Sequence, residues 1–228
     1  MMDWFSSIDS YCERIGPHLF AEPINLITNA AFIFVAFFMW RRSYGNHVAQ
    51  ILTYILAMIG VGSALLHSFA QPWAAFVDVA AILVFVLYYI YLANRVFREN
   101  SVWVSIIGVG LFFPYAWLVT VIFAQFKWIN SSAGYMSIAL LLALYAVDLK
   151  KRKAKVALGL CVGSIMLLIS IGFRSLDLQV CPSMPIGTHF LWHLINALML
   201  GWMIEVYRRH ESENMHSKLS DFSRKGKK

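Results

Sequence analysis

Three histidines and one aspartate lie in stretches of this sequence that are otherwise strongly apolar. They are His67, Asp78, His189 and His193. An ionisable side chain at the centre of a membrane helix costs about 2.5 to 3.5 kcal/mol on insertion scales, so such residues are usually retained for function. Imidazole nitrogens bind metal ions, and a carboxylate can take a proton from an activated water. These four residues are therefore the candidate site.

The spacing of the histidines predicts a shared metal ion. His189 and His193 are four residues apart, so both imidazoles lie on one face of a helix. His67 supplies a third nitrogen, and three histidines with an open fourth position are typical of catalytic zinc. Ser63 precedes His67 by four residues, where its hydroxyl can stabilise a developing oxyanion. Asp78 is the candidate general base.

Each of these residues also has a purely structural explanation. A single histidine in a membrane helix more often makes a hydrogen bond between helices. Asp78 can be favoured by the dipole of the helix that it begins, and Ser63 is a small residue of the kind that packs at helix interfaces. The metal site is favoured only when the polar groups are taken together.

The composition predicts an all-α integral membrane bundle that positions these residues. Of the 228 residues, 60% are hydrophobic and 14% are charged, which is more apolar surface than a soluble core of this length buries. About 20 apolar helical residues cross the hydrocarbon layer, and seven runs approach that length. The runs are 23–40, 49–69, 73–94, 101–123, 133–147, 156–173 and 187–207. We predict one seven-helix domain over residues 23–207, preceded by an N-terminal acidic segment, residues 1–22.

Basic residues follow every second run, and this predicts the orientation of the bundle. They are Arg41, Arg42, Arg95, Arg98, Lys150, Lys151, Arg152, Lys153 and Lys155. The alternate connections carry only Lys127 and Arg174. Cytoplasmic loops are enriched in lysine and arginine, so we expect the N-terminus outside and the C-terminus in the cytoplasm. The basic tail, residues 208–228, has no apolar period and is predicted to be disordered.

The same charge pattern predicts where the protein acts. The net charge of +7 lies beside membrane runs, where anionic lipid head groups explain it better than nucleic acid does. The loop charges also bring the four candidate residues to one depth, on the non-cytoplasmic side. We expect a multi-pass protein of a bacterial inner membrane or a eukaryotic endomembrane.

Further polar residues open the first run and precede it. Glu22, Asn25 and Asn29 recur on one helix face, which must point into the bundle beside the site. Upstream, Asp9 and Glu13 add carboxylates of the kind that suit a hard cation such as calcium, although a solvated acidic tail is the simpler explanation.

Two cysteines fall on the predicted outer side. Cys12 and Cys181 can pair in an oxidising exterior, with two free thiols as the alternative, whereas Cys161 lies inside the sixth run.

The assembled pattern resembles the alkaline ceramidase family, within the seven-span superfamily that includes the progestin and adipoQ receptors. The similarity extends from Asp9 to Trp202. It is carried by Ser63, His67, Asp78, His189 and His193. The resemblance implies a membrane hydrolase that cleaves the N-acyl bond of ceramide-like lipids. It implies zinc on the three histidines, an aspartate that assists the attacking water and a serine that stabilises the oxyanion.

The resemblance also implies a calcium site and a disulfide. The implied calcium ligands are Asp9, Tyr11, Glu13 and Glu22, and the implied disulfide joins Cys12 to Cys181. The chain departs from the family pattern in this segment. Ser10 is an extra residue, Tyr11 replaces the usual tryptophan, the spacer to Glu22 is shorter, and the family's asparagine ligand has no obvious counterpart.

Three other classes of protein share some of these features. A receptor of the related superfamily would bind a ligand at the same histidines without rapid turnover. A retinal-binding rhodopsin is disfavoured, because the last run contains no lysine for a Schiff base. An intramembrane serine protease built on Ser63 needs one histidine and leaves two unexplained.

Overall fold

The described part of the chain consists of helices joined by short connections. The computed structural model describes residues 3–129 and 132–225, and side chains as far as Met215. Within these ranges there is no strand. The α-helices are α1 (Pro23–Thr28), α2 (Ala30–Arg42), α3 (His47–Phe69), α4 (Pro72–Leu92), α5 (Val102–Phe123), α6 (Ala133–Leu149), α7 (Ala154–Val180) and α8 (His189–Lys225). A π-helical turn, Ala93–Phe97, extends α4.

Local sequence explains where several helices begin and break. The Asn46 side chain accepts the backbone N–H of Ala49 at 3.0 Å and caps α3, and Ser101 caps α5 in the same way. Proline begins both α1 and α4, where its missing N–H has no partner to lose. The first predicted run is interrupted at Asn29, so it comprises α1 followed by α2.

Six helical stretches of the described chain are long and apolar enough to cross a membrane. They are Pro23–Arg42, His47–Phe69, Pro72–Phe97, Val102–Phe123, Ala154–Val180 and His189–Met215. The prediction of an all-helical, multi-pass membrane protein is therefore confirmed. α6 is also apolar but has only 17 residues, about 25 Å of helix against the roughly 30 Å of a hydrocarbon layer. The seventh span and the orientation of the termini stay predictions.

α8 is the central helix of the bundle, and α5 is the most peripheral. α8 packs against α1, α2, α3 and α7, and most of its membrane-length stretch is buried. α5 contacts α4, the π-helical turn and α6, and most of its surface faces outward. Residues that serve a buried site are therefore expected on α8 and its neighbours.

The last helix is longer than the sequence predicted. We expected disorder from Arg208, but α8 continues to Lys225. Arg208 and Arg209 both pair with Glu205, one turn earlier, so charged pairs support helix where apolar periodicity has ended. Residues 226–228 of the predicted tail lie outside the described residues, as do residues 1 and 2 of the N-terminal segment.

Candidate metal centre

The structure brings the three predicted histidines together. His67 lies in the last turn of α3, and His189 and His193 lie in the first two turns of α8. One ring nitrogen from each lies within 4.8 Å of the other two, and each residue is only 1% exposed. Across the described residues, this is the one cluster of histidine, cysteine or carboxylate side chains with that geometry.

Two of the histidines point the same nitrogen inward. The Nε2 atoms of His67 and His193 are 3.1 Å apart. His67 Nδ1 lies 2.5 Å from Glu22 Oε2, and His193 Nδ1 lies 3.0 Å from Thr28 Oγ1. The Thr28 hydroxyl gives its proton to the carbonyl of Ile24, so it accepts from His193. Both Nδ1 atoms therefore carry protons, and the Nε2 atoms of His67 and His193 face each other as the nitrogens available to a metal ion.

This arrangement fits a zinc ion. Facing lone pairs repel each other unless a cation lies between them. Two nitrogens bound to one tetrahedral zinc at about 2.0–2.1 Å lie about 3.3 Å apart, which is close to the distance between His67 and His193. The third histidine, His189, has a buried Nδ1 with no hydrogen-bond partner. The donor set is thus three imidazoles, which are ligands that zinc prefers.

Glu22 orients His67 and is itself held by other side chains. Arg14 Nε donates to Glu22 Oε1 at 2.5 Å, and Asn25 Nδ2 donates to Glu22 Oε2 at 3.2 Å. Burial alone would raise the pKa of Glu22, but the hydrogen bonds from His67 and Arg14 outweigh it and hold the pKa below its usual value. Glu22 is therefore a carboxylate that accepts the His67 proton, a partner that fixes the ring of a metal-binding histidine.

The other residues of the predicted polar stripe lie beside Glu22. Asn25 and Asn29 are almost fully buried and point into the bundle. Asn29 Nδ2 donates to the carbonyl of Asn25 at 2.9 Å, where the chain passes from α1 to α2. Asn25 therefore helps to hold the Glu22 side chain, and Asn29 stabilises the backbone where α1 ends and α2 begins.

Sequence reasoning missed Asp177, which fixes the start of α8. Its Oδ1 accepts the backbone N–H groups of Thr188 and His189 at 2.7 and 2.9 Å, and its Oδ2 accepts the N–H of Cys12 at 3.0 Å. Gly187 allows this approach, because a Cβ at that position would overlap the Asp177 carboxylate. An aspartate in an apolar helix is the signal that singled out Asp78, but Asp177 lies beyond the predicted end of its run.

The disulfide implied by the resemblance is formed. Cys12 is bonded to Cys181, with their Cα atoms 5.5 Å apart. Cys181 directly follows α7, four residues after Asp177. The N-terminal segment is therefore held against the end of α7 both by a covalent bond and by the Asp177 carboxylate.

Tyr11 covers the histidines from the side of the N-terminal segment. Its ring centroid lies 4.0 Å from that of His189 and 4.9 Å from that of His67. Burial raises the pKa of Tyr11, although Arg174 opposes the shift. The Tyr11 hydroxyl accepts a hydrogen bond from Arg174 Nη1 at 3.3 Å.

Arg174 is not the connection residue that the sequence predicted. α7 continues to Val180, so Arg174 lies inside this helix. Its guanidinium packs over the rings of Tyr11, Tyr135 and Trp192. The predicted run ended too early, because one arginine was taken as the end of an apolar stretch.

Asp78 and Ser63 lie together on facing helices. Both are buried, and the Ser63 hydroxyl lies near the Asp78 carboxylate. The two backbones approach closely at Gly62, where an added Cβ would lie only 3.2 Å from the Asp78 Cα. The small residue beside Ser63 therefore lets α4 bring Asp78 to the site.

Asp78, Ser63 and His193 line one end of a long cavity. The remaining lining of this cavity is almost entirely apolar. Along α4 it extends from Asp78 to Ala93, about 22 Å at 1.5 Å per residue. The cavity has the length and the apolar lining that suit a hydrocarbon chain, with the candidate chemistry at one end.

The structure does not gather the expected calcium ligands into one site. Asp9 is exposed, and Tyr11 lies on the histidines. Glu13 Oε1 and Oε2 accept the backbone N–H groups of Ile24 and Asn25 at 2.6 and 2.8 Å, so Glu13 caps α1. Glu22 is already engaged by His67 and Arg14. The contacts of these four residues therefore give the expected calcium site no support.

The fold and the site together define a class of protein. It is a multi-pass helical membrane protein with a buried three-histidine cluster beside a cavity of lipid-like shape. The family model described as Ceramidase matches residues 5–225, nearly the whole sequence, and the chain belongs to this family. A comparison with curated proteins finds no match.

Proposed function

We propose that this protein is a zinc-dependent hydrolase that cleaves the N-acyl amide bond of a ceramide-like lipid. The products are a fatty acid and a sphingoid base. One observation carries the proposal: Asp78, Ser63 and the histidine cluster lie together at the polar end of an apolar cavity about 22 Å long. A substrate that lives in the membrane can place its chain along the cavity and its amide at the cluster.

The proposal includes a seven-span arrangement. α6 is the seventh span, the N-terminal segment faces outside, and α8 ends in the cytoplasm. Support comes from the basic residues at or just after the ends of α2, α6 and the π-helical turn. In this orientation His67, Asp78 and His189 all lie in the non-cytoplasmic half of the bundle. The amide is then cleaved in the non-cytoplasmic half of the membrane.

His67, His189 and His193 would hold the zinc ion. When bound, zinc supplies Lewis-acid activation of the amide carbonyl and of the attacking water. Glu22 and Thr28 keep the Nε2 atoms of His67 and His193 directed at one point, so no rotation of these rings is needed before reaction.

Asp78 transfers the proton, and Ser63 assists beside it. Asp78 takes a proton from water while the water oxygen attacks the carbonyl carbon of the substrate. Asp78 then gives this proton to the amide nitrogen as the carbon–nitrogen bond breaks. Ser63 lies beside Asp78 and can donate a hydrogen bond to the oxygen on which negative charge develops. The apolar cavity walls exclude water from the rest of the substrate.

Lipid mass spectrometry tests this proposal. Purified protein is incubated with mixed N-acyl lipids, with and without a chelator. We expect chelator-sensitive release of fatty acid and long-chain base from ceramide-like lipids. Tight lipid binding without release would instead indicate a receptor of the related superfamily, and release that survives complete zinc removal would exclude zinc catalysis.

A further inference from the structure

Arg14 is a buried cation at the centre of the N-terminal segment, and the sequence analysis gave it no role. Its side chain is only 1% exposed. Its Nε donates to Glu22 Oε1 at 2.5 Å, and its Nη1 and Nη2 donate to the carbonyls of Gly16 and His67 at 2.8 and 3.4 Å. One guanidinium therefore joins the N-terminal segment, the start of α1 and the end of α3.

Arg14 and His67 divide the Glu22 carboxylate between them. Arg14 bonds to Oε1, and His67 Nδ1 bonds to Oε2. Arg14 gives Glu22 one charge-assisted hydrogen bond, and its other two nitrogens are bonded to the carbonyls of Gly16 and His67, which hold the planar guanidinium in place. The orientation of Oε2, and with it the direction of His67 Nε2, therefore depends on Arg14.

We propose that Arg14 is a positioning residue for the metal centre and serves as its built-in second cation, so that zinc binding depends on Arg14 and not on calcium. The identity of the ion as zinc rests on the proposed function. The inference itself concerns the direction of His67 Nε2, which matters for any ion that the three histidines bind.

The oxygens available near Arg14 do not suit calcium. Calcium takes 6–8 oxygen ligands, whereas the Glu13 oxygens accept from Ile24 and Asn25, and the Glu22 oxygens accept from Arg14 and His67. A calcium ion on Glu22 would lie within about 5 Å of the guanidinium, where two positive charges repel strongly in a buried setting. Arg14 already neutralises Glu22.

Three variants of the full-length protein test this inference. Arg14→Gln removes the positive charge and the three guanidinium donors, whereas Arg14→Lys keeps the positive charge but not the guanidinium group. Arg42→Gln is the matched control, because Arg42 also pairs with a buried glutamate, Glu205, far from the histidines. For each protein, the zinc dissociation constant is measured by chelator competition, with calcium and with a calcium-selective chelator. The absorption spectrum of the cobalt-substituted protein reports the ligand geometry.

We expect Arg14→Gln to weaken zinc binding about 10- to 100-fold, as for other changes to the partners of metal ligands. Arg14→Lys should lie between this variant and the parent, and its cobalt spectrum should be altered. Arg42→Gln should match the parent, and calcium should change nothing in the parent. Zinc binding by Arg14→Gln that equals the parent, or a parent that needs calcium to bind zinc, would overturn the inference.

The Cys12–Cys181 disulfide shows whether the N-terminal segment still folds. A variant that keeps the non-reduced gel mobility of the parent has its segment in place. If Arg14→Gln loses it, Arg14→Lys decides the question. The zinc titration needs no substrate, so the two proposals can fail separately. If Arg14→Gln binds zinc more weakly than the parent and the parent has no amidase activity, this inference stands and the hydrolase proposal is rejected. If Arg14→Gln binds zinc as the parent does and the parent is an active amidase, this inference is rejected and the hydrolase proposal stands.

Discussion

The Asp177 carboxylate accepts the backbone N–H of His189 at 2.9 Å, so the first histidine of α8 is fixed from the end of α7. The same oxygen accepts from Thr188. The first N–H groups of a helix have no partner within it, and here a side chain from another helix supplies one. The position of α8 along its axis, and therefore of His189 and His193, depends on this contact.

Replacing Asp177 with alanine should destabilise the protein and weaken its metal site. The change leaves three backbone N–H groups without their acceptor, and a hydrogen bond to a charged group contributes about 1.5–3 kcal/mol. We expect a lower Tm in detergent and weaker zinc binding. Asp148→Ala is the control, because Asp148 makes partly exposed ion pairs that contribute little. Equal Tm values for the two variants would contradict the role of Asp177.

Replacing His193 with alanine should remove both bound zinc and amidase activity, since two imidazoles hold zinc far less tightly than three. Metal analysis of the purified variant and a fatty-acid release assay measure the two effects. His47→Ala changes an exposed histidine at the opposite end of α3 and should retain both properties. A fully active His193→Ala enzyme would disprove the metal site.

Asp78→Asn should separate chemistry from metal binding. We expect kcat to fall about 10²- to 10⁴-fold, because asparagine cannot accept the proton of water, while zinc content stays at the parent level. The measurements are kcat and zinc per protein. Unchanged kcat would exclude Asp78 as the base.

Ser63→Ala should lower kcat by up to about 10²- to 10³-fold if Ser63 donates to the developing oxyanion. Ser105→Ala is a suitable control, because Ser105 is a buried serine of α5 remote from the cavity lining. A smaller fall in kcat with unchanged zinc content would indicate that Ser63 only orients Asp78. An effect no larger than that of Ser105→Ala would remove it from the site.

Filling the far end of the cavity should shift the preference for acyl-chain length. Ala93 lines this end, so Ala93→Phe should favour shorter chains while leaving zinc content unchanged. A competition assay with N-acyl lipids of several lengths, read by mass spectrometry, measures the ratio of products. Val147→Phe adds bulk on the exposed side of α6 and should leave the ratio unchanged. An unaltered ratio in Ala93→Phe would show that the acyl chain lies elsewhere.

The sequence predicted the residues whose signal is local. His189 and His193 reveal a shared face through their spacing, and His67 stands out because its surroundings are apolar. Hydropathy likewise predicted most helices, but the predicted runs ended at Phe173 in α7 and at Tyr207 in α8. Beyond these residues, aromatic rings around Arg174 and charged pairs with Glu205 support the helix instead.

The N-terminal segment could not be predicted in the same way. Arg14 has no periodic neighbours, and its partners lie at Glu22 and in the backbone of His67, 53 residues away. Asp177 and Cys12 are 165 residues apart. Such pairings depend on how helices pack, which residue spacing does not encode, so the acidic residues were taken for calcium ligands.

The connections around the histidines join opposite ends of the chain. The hydrogen bond from His193 to Thr28 spans 165 residues, and the disulfide spans 169. A ribosome-bound chain that lacks α8 has only one of the three histidines, and its Thr28 hydroxyl lacks the His193 partner. The three-histidine cluster can therefore form only after α8 has been made, and an unfinished chain would lack the proposed metal site.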